Sequence, residues 1–303
     1  MALVGGAHAV RGALGNVTLD ESLYHLDEDE SAFFKAQTGI DNDEALRKHI
    51  LKAQKDAYEV WPFPCIRRFS FTKLKISRLP AYPQLVAIGK NRPGAILLDL
   101  GTCFGNDLRK AVADGFPVRN TIGTDIEPAF WQLGHKLFNS TPDTFPSTFL
   151  PGDVFDSAFL GLQPLPTAIP DAPAPALEGL TSLNPLHGRV SVIHASAIFH
   201  LFEESKQREL AHAVAGLLSP EHGSLMLGRH AAAPEKGIRR SEVGAKPFEM
   251  FCDSVDSWRD MWEGIFEPGT VKIETELEEV ANGAQRTGIN MQLWEMTWSV
   301  TRL

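Results

Sequence analysis

Three acidic residues, Asp99, Asp125 and Asp153, each close a short apolar run, in LLDLG, TIGTDI and FLPGDVF. A carboxylate at such a position can accept hydrogen bonds from ligand hydroxyls or from an amine. Asp99 is followed by Gly101 and Gly105 at the opening of an amphipathic run. Backbone amides there stand free at the positive end of a helix, and small residues let a ligand come close. The combination is a nucleotide-type cradle. Its spacing, D-x-G-x-x-x-G, departs from the dinucleotide fingerprint G-x-G-x-x-G because Cys103 takes the place of the middle glycine. A pyrophosphate cannot approach as closely, and a ligand without phosphates fits better. Asp125 stands where an acid accepts from both ribose hydroxyls, and Asp153 where one accepts from an adenine amine. Plainer roles exist for each: Asp99 as a capping acid with Gly105 for close packing, Asp125 as the cap of the next helix, Asp153 as half of a Gly-Asp turn.

A second group follows the fourth apolar run. His194 and Ser196 end VIHAS, and His200 comes one turn later in AIFHLF, where an imidazole could orient an acceptor oxygen or take its proton. Either histidine could equally stitch the strand to its helix. Arg229 and His230 end SLMLGRH and offer the positive charge that a carboxylate would want. Upstream, WPFPC carries Trp61 and Phe63 between prolines, which predicts an extended segment forming a pocket wall, or else apolar residues packing a helical cap onto the core. Phe251, Trp258, Trp262 and Phe266 would likewise suit an apolar acceptor, while Trp258 and Trp262, four apart, also fit a core stripe.

The elements that must position these residues alternate. AILLDL, TIGTDI, STFLPGDVF, RVSVIHASAIF and SLMLGRH read as strands, with helical runs after the first, second and fourth, the pattern of a parallel sheet with crossover helices. In such a sheet the acidic ends converge on the crevice at the C-terminal edge of the strands. Pro128 opens the second helix, whose stripe is Phe130, Leu133, Gly134, Leu137 and Phe138. Residues 41–60 read as a helix capped by Asp41 with Glu44. The proline- and alanine-rich GLQPLPTAIPDAPAPALEGLTSLNPLHG reads as a surface excursion with a short helix. TVKIETEL and MQLWEMTWSVTRL, flanking an Asn282-Gly283 turn signal, should finish the sheet as an antiparallel pair.

The segments LLDLGTCFGNDLRKAVADG, IGTDIEP, GDVFD and VIHASAIFHLF, with WPFPCIRRFSF upstream, resemble the fungal class I S-adenosylmethionine (SAM) methyltransferases of secondary metabolism, nearest to those of meroterpenoid pathways that methyl-esterify carboxylic acids. The resemblance implies an α/β, Rossmann-like fold: a mostly parallel seven-stranded sheet with an antiparallel C-terminal strand, residues 1–85 forming a helical lid and 86–303 the SAM-binding catalytic domain. It implies that Asp99, Gly101 and Gly105 border the methionine part of SAM, that Asp125 binds the ribose and that Asp153 and Val154 contact the adenine, with Thr102, Ile126 and His194 as further candidate cofactor contacts. His200 and His194 become the candidate catalytic pair; Trp61, Phe63, Ser196, Phe199 and Arg229 become candidate acceptor contacts. Thr102 and Asn106 stand where the family has cysteine and glutamine, and the proline-alanine stretch lengthens the connection between the third and fourth strands. The expected activity is O-methylation of a small apolar metabolite, preferably a terpenoid or polyketide acid. Carbon or nitrogen methylation, or SAM sensing without turnover, are the other readings.

Composition narrows the field. The 303 residues are 43% hydrophobic, with a net charge of −9 and scattered basic residues, which opposes a nucleic-acid partner. Three distant cysteines, Cys65, Cys103 and Cys252, suit a reduced, cytoplasmic setting rather than a disulfide framework, and no histidine or acidic cluster has metal-ligand spacing. The opening MALVGGAHAVRGALG reads as a loose leader, and no window approaches the ~20 apolar residues of a membrane span.

Overall fold

The structure is a computed structural model that describes residues 18–241, 248–280 and 292–303. The N-terminal part holds α1 (Glu28–Thr38), α2 (Asp43–Val60) and the short α3 (Pro64–Arg67), after which α4 (Tyr82–Asn91) leads into the sheet. Then follow β1 (Leu97–Leu100), α5 (Asn106–Ala113), β2 (Thr121–Asp125), α6 (Pro128–Leu137), β3 (Thr148–Pro151), β4 (Val192–His194), α7 (Glu204–Leu217) and β5 (Leu225–Ala232). A hairpin, β6 (Gly237–Ser241) and β7 (Phe248–Cys252), precedes α8 (Val255–Glu263), β8 (Val271–Glu279) and β9 (Trp294–Arg302). The seven-stranded sheet has the order β3-β2-β1-β4-β5-β9-β8. The pairs from β3 through β5 are parallel, and β9 runs antiparallel to both β5 and β8.

Successive strand residues point to opposite faces, and the core divides accordingly. Leu97, Val192, Leu225 and Leu227 join Leu85, Leu108 and Trp131 on one face. Leu98, Ile193, Met226, Met296, Trp298 and Val300 join Leu210, Val214, Trp258 and Trp262 on the other. A third cluster joins α1 and α2 (Phe34, Leu46, Ile50, Ala57) to Phe69 and Phe71, to α6 (Phe130, Leu133, Leu137) and to Phe104 of the glycine turn. Asn139 Nδ2 donates to Thr38 O at 2.8 Å and His49 Nε2 lies 2.8 Å from Leu137 O, closing the same junction.

Several boundaries differ from the sequence pattern. The cap of α2 is Asn42, whose side chain accepts from Ala45 N at 2.9 Å, so the helix begins after Asp41 rather than at it. Asparagine caps as well as aspartate, and the residue in register wins. The WPFPC segment is not wholly extended: Pro64 opens α3, a first helical position where its missing N–H costs nothing. β4 is shorter than expected, because the chain turns at Ala197 (φ 57°) into a 3₁₀ turn at Phe199–Leu201. Along β9, Met296, Trp298, Val300 and Arg302 share the buried face, and Ser299 on the other face is buried as well. The β6–β7 hairpin was not legible at all. The Asn282-Gly283 turn lies outside the described residues, and among these no helix is long and apolar enough to cross a membrane.

A close approach joins α6 to the glycine turn: a Cβ on Gly134 would lie 2.2 Å from Phe104 O. Alanine is the better helix former by about 1 kcal/mol, so propensity alone favours Gly134→Ala. The collision is with backbone and cannot rotate away. We expect Gly134→Ala to lose roughly 1–3 kcal/mol in urea denaturation, the usual cost of overpacking; a stabilised variant would show that α6 does not press on the turn.

Candidate active site

The glycine turn after β1 is folded onto β2. Gly101 N and Thr102 N both donate to Thr124 O, at 2.9 and 3.0 Å, and Cys103 N donates to Asp125 Oδ2 at 2.9 Å. Gly101, Cys103 and Gly105 all take positive φ, of 68°, 50° and 73°. This conformation suits glycine and strains Cys103. Gly105 also has no room for a side chain, since a Cβ would fall 2.6 Å from Trp131. As the N-cap of α5 it supplies no capping side chain, so the first N–H groups of that helix face the crevice end without an intrahelical acceptor.

Asp125 is held by two backbone donors, Cys103 N at Oδ2 and Glu127 N at Oδ1 (3.0 Å). Each oxygen keeps a second lone pair for a ligand hydroxyl. Burial raises its carboxyl to about 6, more than the two backbone donors lower it. Next to it Ile126 is 52% exposed, an unusual position for a large apolar side chain and a ready face for a planar ring. The β2–β3 register pairs Asp125 with Pro151, which brings Asp153 and Val154 to the same sheet edge. Asp153 Oδ1 accepts from Phe155 N at 2.9 Å, so the turn reading of this residue holds alongside any ligand role.

Asp99 differs from the sequence expectation. Its side chain is buried, and both oxygens are engaged: Oδ2 accepts from Thr102 Oγ1 at 2.6 Å, and Oδ1 lies 2.7 Å from His194 Nδ1. The β1–β4 register, which pairs Asp99 with His194, puts the two side chains on one face. His194 Nε2 in turn lies 2.7 Å from Ser196 Oγ, which also accepts from Arg229 N at 3.3 Å. Asp99, His194 and Ser196 thus form one hydrogen-bonded chain across β1 and β4. Only Ser196, half-buried, ends it toward the crevice. Burial alone would lower the His194 imidazole, but the charge and hydrogen bond of Asp99, with help from Asp107, carry it upward. Asp99 and His194 are thus engaged inside the fold, with Thr102 and Ser196 as the groups at the two ends of their hydrogen bonds.

His200 sits on the 3₁₀ turn, half-buried, with Nδ1 buried and unpartnered among the described residues. Burial first, then the positive charges of Lys75 and Arg68, lower its imidazole to about 4. Two expected acceptor contacts fall elsewhere. Phe199 is fully buried, edge-on to Trp258 and Trp298 at 5.0 and 5.9 Å, and braces the turn from the core. Arg229 forms an ion pair with Glu295 across β5 and β9, so its charge is already answered, and its backbone N–H serves Ser196. His230 accepts from Trp298 Nε1 at 3.1 Å, and burial lowers it to about 3. Trp258 and Trp262 are core, as their spacing suggested. Trp61 and Phe63 stack at 5.5 Å, half-buried, with Phe63 6.1 Å from Phe130. Sequence reasoning missed Lys75 and Asp107; Asp107, in the first turn of α5, carried a visible helix-start signal, whereas Lys75 lies in FTKLKISRL and carried none.

This sheet order, with a glycine turn after β1 and an acid ending β2, is that of a Rossmann-like fold, and the protein is a SAM-dependent methyltransferase. Residues 19–72 match the family described as meroterpenoid methyltransferase N-terminal domain. The chain is similar to the Asnovolin E/Chermesin D methyltransferase nvfJ of Aspergillus novofumigatus, 29% identical over 92% of this chain and 84% of that one. It is also similar to the O-methyltransferase phiE of a fungal species, 29% identical over 73% of this chain and 66% of that one. An S-adenosylmethionine dependent methyltransferase structure from Mesorhizobium loti aligns at 16% identity and a TM-score of 0.42, over 75% of this chain and 100% of that chain. The resemblance to fungal secondary-metabolite methyltransferases, first read from short motifs, extends over most of the chain.

The raised carboxyl of Asp125 gives a signed test. Only its ionised form offers both oxygens as acceptors, so affinity for S-adenosylhomocysteine should be full above about pH 6 and decline as the pH falls through that value. Asp125→Ala should weaken binding at pH 8 by about 1–3 kcal/mol in calorimetry and flatten the pH dependence; an unchanged affinity removes Asp125 from the cofactor site.

Proposed function

We propose that this methyltransferase moves a methyl group from SAM to a carboxylate oxygen of a small, largely apolar acid of the terpenoid or polyketide kind, forming a methyl ester. The observation that carries this is the state of the histidines. His200, the imidazole nearest the expected acceptor, has a pKa of about 4 and is a weak base at neutral pH. Both ring nitrogens of His194 are engaged, by Asp99 and Ser196. A phenol, alcohol or amine acceptor needs a group to take its proton, whereas a carboxylic acid is already ionised near pH 7. The similarity to phiE, an O-methyltransferase, favours oxygen as the acceptor atom.

The residues present fit the cofactor. The open α5 N-terminus and Gly101, exposed and without a side chain, suit a polar tail; Asp125 suits two ribose hydroxyls; Ile126, Val154 and Asp153 suit an adenine. When bound, SAM supplies an electrophilic methyl on a sulfonium, and the protein's task is then to align the acceptor and exclude water. Ser196 can donate to or accept from an acceptor oxygen, held in place by His194. His200, neutral, can orient the same oxygen through a ring nitrogen. Trp61 and Phe63 supply an apolar wall from the N-terminal region, which we read as a cap over the crevice. That cap shares its core with α6 and Phe104, so it acts as part of the wall and not as a separable lid.

His200→Asn keeps a hydrogen-bonding side chain and removes the titrating group. Methyl transfer to the acid should fall by no more than about tenfold, or ~1.4 kcal/mol, and the wild-type rate should stay flat between pH 6 and 8. A loss of roughly 10²–10⁴-fold, with a rate that titrates near neutrality, is the signature of a missing general base and would transfer the assignment to a phenol or alcohol acceptor.

A further inference from the structure

With Arg229 committed to Glu295, the crevice lacks the cation that the sequence offered for a carboxylate. The opposite wall supplies another. The segment from residue 73 to 78 carries Lys73, Lys75 and Arg78 and is tightly anchored. Ile76 N donates to the buried Asp107 Oδ1 at 3.0 Å, and Asn106 Nδ2 donates to Lys73 O at 3.2 Å, which lays the segment across the start of α5. Lys73 and Arg78 both turn to Glu30, a fully buried carboxylate, at 2.7 and 3.1 Å.

Lys75, between them, is half-buried, and its ammonium forms no ion pair or hydrogen bond with any described residue. Its charge acts on Asp107 of α5, His194 of β4, His200 of the 3₁₀ turn, Cys103 of the glycine turn and Cys65 of α3. These five elements come together at the crevice. Arg68, whose Nε donates to Pro64 O, adds its charge to the same wall. An ammonium partly withdrawn from water without a direct partner leaves its donors unmet, and an anionic ligand would satisfy them.

We propose that Lys75 is the residue that receives a ligand carboxylate at the crevice, opposite the Asp99–His194–Ser196 chain. Two ligands can bring that group: the amino-acid tail of the cofactor and the acid to be methylated. Only the second rests on the ester-forming function proposed above.

The test uses the full chain with Lys75→Met, which keeps the apolar stem, and Lys75→Arg, which keeps the charge, each checked for an unchanged thermal melt. Calorimetry compares S-adenosylhomocysteine with 5′-methylthioadenosine, which has the nucleoside and thioether but no amino-acid tail. A second titration compares farnesoic acid with farnesol on protein saturated with S-adenosylhomocysteine. If Lys75→Met weakens S-adenosylhomocysteine by about tenfold or more, spares methylthioadenosine, and Lys75→Arg restores binding, the carboxylate is the cofactor's. If S-adenosylhomocysteine is unaffected but farnesoic acid weakens while farnesol does not, it is the acceptor's. The proposal is overturned if neither affinity changes, or if S-adenosylhomocysteine is unaffected and the wild type binds farnesoic acid no better than farnesol. Failure of the ester-forming function shows separately, as a rate that titrates with His200, which neither binding experiment reads.

Discussion

A carboxylate buried at the end of β1 has to be satisfied, and Asp99 is satisfied in a way that organises everything around it. One oxygen takes the hydroxyl of Thr102 and so anchors the glycine turn; the other takes His194 and so ties β1 to β4. Leaving either oxygen unpaired in this environment would cost more than the bond itself contributes, which makes the arrangement specific as well as stable. From His194 the chain continues to Ser196 and then to the backbone of Arg229 on β5. Three neighbouring strands are thereby held in register at the sheet edge where chemistry can occur.

The turn that Thr102 anchors is under strain, with Cys103 at positive φ, and it is stabilised by its surroundings. Thr124 O and Asp125 accept its amides from below, Trp131 fills the space beside Gly105, and the backbone of Phe104 presses on Gly134 of α6. The N-terminal helices complete this packing: Phe34, Ile50 and Phe71 share a cluster with Phe104 and Phe130. The N-terminal helices and the glycine turn are therefore one packed unit, and the shape of the crevice depends on both.

Electrostatically the crevice has two walls. The sheet edge presents carboxylates at Asp99 and Asp125, the first neutralised inside the fold and the second engaged by amides with capacity to spare. The N-terminal wall presents Lys75 and Arg68. Between them lies the His200 imidazole, which burial keeps poor in protons, while His194 is drawn the other way by Asp99. Such a site is better equipped to hold and aim an anion than to create one.

By itself the sequence determined the alternation of strands and helices, the glycine turn, the acid ending β2, Pro128 at the start of α6, and the paired C-terminal strands. These are local matters: periodicity, caps and turn residues act over a few positions, and short-range sterics enforce them. What only the tertiary structure decided was which polar groups remain available. Arg229 and Glu295 meet because β9 inserts between β5 and β8; Asp99 turns inward because β4 places His194 beside it; Phe199 faces the core because the chain turns at Ala197. Lys73 and Arg78 are taken by Glu30, in a helix far earlier in the chain, and Lys75 between them is left with no ion pair among the described residues. Each outcome is a competition among partners distant in sequence, settled by which pairings leave no buried charge or hydrogen-bonding group unanswered, and no local pattern encodes that balance.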